Sequence, residues 1–225
     1  PGSVIASLLE NEPRFKEGGF QSIIGEVRVF ILAGFETTAH ALAFAFGMMA
    51  EHQELAEKLH QVSTQALKKG PLKLALENST YVKNFFMEAV RMFPLAPLLG
   101  GECTGDIVLN HKGNAYKLPK GTQVQFFNLA LQRHEDHVGG MLGPDDVEPE
   151  RWDAEPAKQP FLHTFNTGAH SCPGKPLSVL EGHIFLLMVA ERFRFEFPEG
   201  TTKVEGSQEM LLRPKDAMPL RVFRR

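Results

Sequence analysis

Apolar and small residues run almost without interruption from Val29 to Ala50, broken only by Glu36, Thr37, Thr38 and His40. With Gly18-Gly19 in front, the run predicts a long helix over about Phe20 to Met49, apolar on nearly every face and so a core helix. A polar helix is expected from Glu51 to Lys69, where Leu55, Leu59, Val62 and Leu67 alternate with charges until Gly70-Pro71. Ser79-Thr80 can cap a third helix, Tyr81 to Met92, that stops before Pro94. Between Glu102 and Leu131 the pattern turns strand-like at Ile107–Leu109, Ala115–Leu118 and Gln123–Phe127, with turn residues between, which predicts a small antiparallel sheet. Val138 to Pro160 has no periodicity, and so long an irregular stretch inside a compact domain usually has a task. A last helix, Gly174 to Phe193, presents Leu177, Leu180, Ile184, Leu187, Met188 and Phe193 on one face, and Phe193–Phe197 and Pro219–Phe223 read as closing strands. The fold class is mainly α with small antiparallel sheets, and without repeats or a linker residues 1–225 read as a single domain.

With 225 residues, 43% of them hydrophobic, the chain can bury a substantial core. A net charge of -3 gives no excess of either sign, so no nucleic-acid partner is expected. Cys103 and Cys172 are too few and too far apart for a disulfide framework, which fits an intracellular setting, cytoplasmic or organelle-associated. The opening PGSVIASLLE shows neither the basic nor the apolar region of a signal peptide. Val29 to Ala50 is long enough to cross a bilayer, but a central Glu36 would cost about 3 kcal/mol there. No basic cluster flanks it, so it reads as a helix of a soluble protein and not as a membrane anchor.

The segment Phe165-Asn-Thr-Gly168-Ala-His170-Ser-Cys172-Pro-Gly174 puts a cysteine after a glycine turn and before a long helix. Free amides and the positive dipole end at a helix start favour a thiolate, which can ligate iron. Gly168 would let the backbone turn beside a flat cofactor, Gly174 and Pro173 suit the helix start, and Phe165 would shield the sulfur. Taken alone, a buried core cysteine is the commoner reading. Zinc lacks further ligands at suitable spacing, whereas a Cys/His hydrolase stays open. Two other clusters stand out. Glu88 and Arg91 share a helix face, which alone is a common surface pair. Ala33-Gly34-Phe35-Glu36-Thr37-Thr38 sets polar groups in an apolar helix, where Thr37 can bond back to the Ala33 carbonyl and loosen the turn at Gly34; taken alone, local packing with Glu36 capping a local network is the favoured reading.

Together these motifs resemble the cytochrome P450 family, whose cysteine loop reads Phe-x-x-Gly-x-Arg-x-Cys-x-Gly. Phe165, Gly168, Cys172 and Gly174 match it, and His170 stands at the Arg position. The resemblance implies haem b bound through Cys172 as the metal ligand, with Phe165, Gly168, His170, Gly174, Gly34 and Ala33 lining the cofactor. It implies Thr37 and Glu36 as the proton relay of oxygen activation. Glu88, Arg91 and Arg151 (in Pro149-Glu150-Arg151-Trp152) would be a buried structural triad beneath the cysteine loop. The match is to the family's carboxy-terminal half. Its amino-terminal half, with the roof of the pocket and a propionate-binding helix, has no counterpart here. Leu98-Leu99-Gly100-Gly101-Glu102 likewise lacks a propionate-binding arginine, which leaves Lys112, Lys117, Lys120, Arg133 and His163 as substitutes. The implied activity is that of a monooxygenase or peroxygenase acting on an apolar small molecule, with a redox partner or peroxide as co-reactant. A haem-binding module, sensor or pseudoenzyme fragment without turnover is the alternative. Because the long helix is apolar all round, a homo-oligomer or a missing amino-terminal half is expected to cover the distal side.

Overall fold

A computed structural model of the protein describes residues 2–11 and 13–225, with residues 11 and 13–16 described through the backbone alone. The chain divides into two compact units, Pro1–Ala39 and His40–Arg225.

The first unit holds α1 (Val4–Asn11) and most of α2 (Pro13–Glu51). Ser3 starts α1, its hydroxyl accepting from the Ala6 amide at 3.1 Å. Inside α2 only Gly19 leaves helical geometry, at φ 64° and ψ -163°, a backbone state open to glycine. The continuous apolar helix thus begins after the Gly18-Gly19 pair, as the pattern predicts. Burial differs from expectation. Phe20, Val29, Phe30, Ile31, Leu32 and Phe35 are exposed, whereas Ala41, Leu42, Phe44, Ala45, Met48 and Met49 are buried. An all-round apolar sequence therefore does not produce all-round burial within this chain.

The second unit is built on the end of α2, α3 (Gln53–Leu67), α4 (Leu72–Glu77), α5 (Thr80–Met92) and α8 (Lys175–Arg192). Phe44 stacks on Phe93 with ring centroids 4.4 Å apart. Phe85 and Phe86 of α5 are fully buried in the same cluster as Leu186 and Leu187 of α8. The two helices meet at Gly182, where an added Cβ would stand 2.5 Å from the Phe86 ring. The buried face of α8 is Gly182, His183, Leu186, Leu187 and Ala190, while Leu177, Leu180 and Met188 are exposed. That shifts the predicted face, because glycine, alanine and histidine carry the close contact.

Ser79 does not cap α5 with its side chain. Its hydroxyl instead pairs with Ala75 O at 2.8 Å and His183 Nε2 at 2.8 Å, closing the unanticipated α4 and tying α8 to the α4–α5 junction. The expected single sheet is two ribbons. β1 (Leu98–Glu102) pairs with β4 (Gln123–Phe127), and β2 (Ile107–His111) pairs with β3 (Asn114–Leu118) around Lys112 and Gly113, both at positive φ. β1 has Gly100 and Gly101 in place of alternation, so the pattern gives no sign of it. After β4 come α6 (Asn128–Leu131) and α7 (Glu135–Val138), then an irregular stretch with 3₁₀ turns at Pro149–Asp153 and Pro156–Lys158. β5 (Phe193–Glu196) pairs with β8 (Arg221–Arg224), and β6 (Gly206–Gln208) with β7 (Leu212–Pro214).

Candidate functional site

The cysteine loop folds back on itself. The Cys172 amide donates to Phe165 O at 2.7 Å, Ser171 N to Gly168 O at 3.2 Å, and Lys175 N to Cys172 O at 3.3 Å. Cys172 is therefore held at both of its peptide groups while its thiol is exposed and free. Gly168 has φ +64° with open space where a Cβ would stand, so a flat group meets no side chain there. Gly174 is the residue before the first turn of α8, which places Pro173 outside the helix. An added Cβ on Gly174 would come within 3.8 Å of the Cys172 sulfur. Phe165 is half-buried against the core, with Lys175 Nζ 5.5 Å from its ring centre. His170 is exposed and ends the 3₁₀ turn Gly168–His170.

Behind this loop lies an ion cluster larger than the expected triad. Arg91 grips the Glu88 carboxylate with two parallel bonds, Nη2 to Oε1 at 2.7 Å and Nε to Oε2 at 2.9 Å. Arg151 Nε reaches Glu88 Oε1 at 3.4 Å, Trp152 Nε1 reaches Oε2 at 3.0 Å, and the Glu148 amide donates to Oε1 at 2.9 Å. Glu148 pairs with Arg151 at 3.2 Å, so two buried arginines face two buried carboxylates. Unpaired, any one of these charges would be costly at such depth; together they balance. The guanidinium hydrogens left over bind carbonyls of the irregular segment. Arg91 donates to Pro144 O at 2.7 Å and Asp146 O at 3.0 Å, and Arg151 to Gly143 O at 2.6 Å and to Gly139 O. Glu148 and Trp152 were not anticipated, although Glu148 stands three residues before Arg151, the same spacing as Glu88 and Arg91.

On α2, Thr37 donates to Ala33 O at 2.6 Å, one turn back. The backbone stays helical through Gly34, so the loosening predicted at that turn is absent. Glu36 and Thr37 are half-buried in the first unit, and the cysteine loop and ion cluster belong to the second. Three proposed propionate substitutes already have partners. Lys117 pairs with Asp106 at 2.9 Å, Arg133 donates to Met92 O at 2.8 Å, and His163 Nδ1 meets Asn128 Oδ1 at 2.8 Å.

These features suit a thiolate-ligated, flat cofactor. Among the described residues no three His, Cys, Asp or Glu side chains gather to hold a bare metal ion. A metal at Cys172 must therefore bring its other ligands with it, as a macrocycle does. Phe126 and Phe161, whose rings meet His163 just before the loop, and Leu177 and Leu180, on the helix that follows it, are exposed, apolar surface that such a macrocycle can cover. Phe126 is joined to the base of the loop through its ring contact with His163, 4.8 Å between centroids.

The chain is similar to known proteins in sequence and fold. The cytochrome P450 family model matches residues 3–221. Cytochrome P450 302a1, mitochondrial, of Drosophila melanogaster is 27% identical over 96% of this chain and 44% of its own length. The 25-hydroxyvitamin D-1 alpha hydroxylase, mitochondrial, of Homo sapiens is 29% identical over 91% of this chain and 40% of its own. A crystal structure of a cytochrome P450 (CYP102L1) superposes with a TM-score of 0.77 at 22% identity, over 90% of this chain and 45% of that one, a likeness of fold. The chain thus spans less than half the length of the relatives it matches. With the family model covering nearly every residue, the chain belongs to the cytochrome P450 family.

Proposed function

We propose that this chain is the haem-holding part of a haem-thiolate oxidoreductase, with haem b bound through the Cys172 thiolate. The observation that carries the reading is the exposed, free Cys172 thiol on a loop closed by its own amide, with Gly168 leaving open space beside it. When bound, haem supplies oxygen activation, and a thiolate ligand favours O–O cleavage. The chain's own residues orient and protect. Phe165 and Gly174 frame the sulfur, the Glu88–Arg91–Arg151 cluster pins the irregular segment behind the loop, and Thr37 and Glu36 hold and pass protons. Ala33 and Gly34 offer small surface on the same turn, and His170 is a polar group at the loop rim. An apolar small molecule is the proposed substrate, with a redox partner or peroxide as co-reactant.

A second reading, a haem-binding module without turnover, is favoured by the exposed Phe20, Val29, Phe30, Ile31, Leu32 and Phe35, which leave apolar side chains open on several sides of the helix. By length and composition Glu17–Glu51 also qualifies as a helix able to cross a membrane. Under the enzyme reading a further segment of protein or a second copy covers that face, and the protein works inside the cell. Peroxide-driven oxidation of an apolar substrate by the haem-loaded protein separates the two. We expect Thr37→Val to slow turnover at least about 100-fold with haem content unchanged, the scale of a lost proton-transfer group. Equal rates in Thr37→Val and the parent would remove Thr37 from the relay, and haem loading with no turnover at all would favour the module.

A further inference from the structure

Between the ion cluster and the cysteine loop lies the short helix α6. Asn128 begins it and Gln132 is the cap that follows its last residue, Leu131, four residues on and so on the same face. Both side chains are buried, and they hold consecutive residues of the segment leading to Cys172. Asn128 Nδ2 donates to Ala96 O at 2.7 Å, which leaves its Oδ1 to accept from His163 Nδ1 at 2.8 Å. The His163 ring lies between Phe126 and Phe161, at 4.8 and 5.7 Å. Gln132 Oε1 accepts from the Thr164 amide at 2.9 Å, and its Nε2 donates to Arg91 O at 3.0 Å. Arg91 returns the contact, Nη1 to Gln132 O at 3.1 Å. The next residue, Phe165, supplies the carbonyl that fixes the Cys172 amide at 2.7 Å.

We propose that Asn128 and Gln132 are positioning residues that hold the segment leading to Cys172 by a two-point grip on His163 and Thr164, Gln132 tying Thr164 to the Glu88–Arg91 cluster and Asn128 tying His163 to Ala96. The ion cluster makes no direct bond to the segment 163–172 in the hydrogen bonds and ion pairs described above. Gln132 is the side chain that bonds to both. Without the grip, residues 163–165 would keep their aromatic packing but lose the anchor that sets where the Phe165 carbonyl, and hence the cysteine, stands. Buried polar links of this kind fix geometry more than they add net stability. The proposal rests on the reading of Cys172 as the haem ligand.

The test compares haem-loaded Gln132→Met, His163→Phe and Gln132→Glu proteins with the parent at matched folded fraction by circular dichroism. Two readouts are taken: the Soret position of the reduced, carbon monoxide-bound form, and amide hydrogen exchange at Thr164 and Cys172. Gln132→Met removes acceptor and donor alike, His163→Phe retains the ring packing, and Gln132→Glu retains an acceptor for the Thr164 amide. We expect exchange at both amides to rise about tenfold in the Met and Phe variants, as for loss of one buried hydrogen bond. We expect at least half of their thiolate-type Soret band to be lost, and Gln132→Glu, which keeps the Thr164 acceptor but sets a carboxylate oxygen against Arg91 O in place of the donor, to lose it as well. A full thiolate band in Gln132→Met and His163→Phe would overturn the proposal and leave the ligand assignment standing. If the parent itself lacks a thiolate band, the ligand assignment fails, and exchange at the Cys172 amide then decides the grip alone: faster exchange supports it and unchanged exchange overturns it.

Discussion

Replacing Glu88 with glutamine keeps the shape of the side chain and removes its charge. The carboxylate accepts from Arg91 Nε and Nη2, Arg151 Nε, Trp152 Nε1 and the Glu148 amide. A glutamine in either orientation turns its NH2 toward at least two of these donors, so repulsion replaces attraction on one side. Two fully buried guanidinium groups are then left with Glu148 as their only buried carboxylate in the cluster. Stranding a buried charge costs roughly 3–5 kcal/mol, a large share of the roughly 5–15 kcal/mol that holds a typical domain together. With a urea slope of about 2 kcal/mol per molar, the unfolding midpoint should fall by about 2 M. The control is Glu150→Gln. Its partner is Lys58, the two side chains are 38% and 49% exposed, and such a pair contributes about 1 kcal/mol or less. If the two variants unfold at midpoints within about 0.3 M of each other, the buried cluster does not carry the stability assigned to it.

Gly182→Ala should destabilise by about 1–3 kcal/mol through overpacking against Phe86, read as a urea midpoint shift; a neutral effect would mean that α5 and α8 can separate freely. Burial holds the His183 imidazole below its usual range, outweighing the Ser79 hydrogen bond, and Lys83 adds in the same direction. The unfolded chain takes up that proton near pH 6.5, while the folded chain resists until lower pH. This stabilisation is present above about pH 6.5 and lost as pH falls through the lower folded value. Burial lowers His163 as well and adds to the trend. Urea midpoints at pH 7.5 and 5.5 should therefore differ less in His183→Gln than in the parent, and an equal difference would refute the linkage.

Much of the fold is legible in the sequence because the helices carry strong periodicity and clear stops. The long helix, the Tyr81–Met92 helix and the β2–β3 turn at Lys112-Gly113 follow from local pattern and turn chemistry. β1 and the true face of α8 do not, because Gly100, Gly101, Gly182 and Ala190 take their meaning from what packs against them. In the site, the Cys172 loop is visible as a motif, since glycines and a cysteine before a helix have a local chemical logic. Glu148, Trp152, Asn128 and Gln132 are not visible in that way. The partners that join them to the site lie 32 to 64 residues away along the chain, and of the local contacts of Glu148 the one to Arg151, at a spacing of three, was a readable signal. That Phe20, Val29, Phe30, Ile31, Leu32 and Phe35 need a cover was legible in the sequence, but the cover itself was not, because an apolar sequence states what should be covered and not by what.

The most direct test is the optical spectrum of the reduced, carbon monoxide-bound protein reconstituted with haem b, taken for the parent, Cys103→Ala and Cys172→Ala. Cys103 is buried and Cys172 exposed. The account predicts a thiolate-type Soret band in the parent and in Cys103→Ala and its complete loss in Cys172→Ala, because under the proposed function the thiolate of Cys172 ligates iron. A thiolate-type band that survives in Cys172→Ala would contradict it.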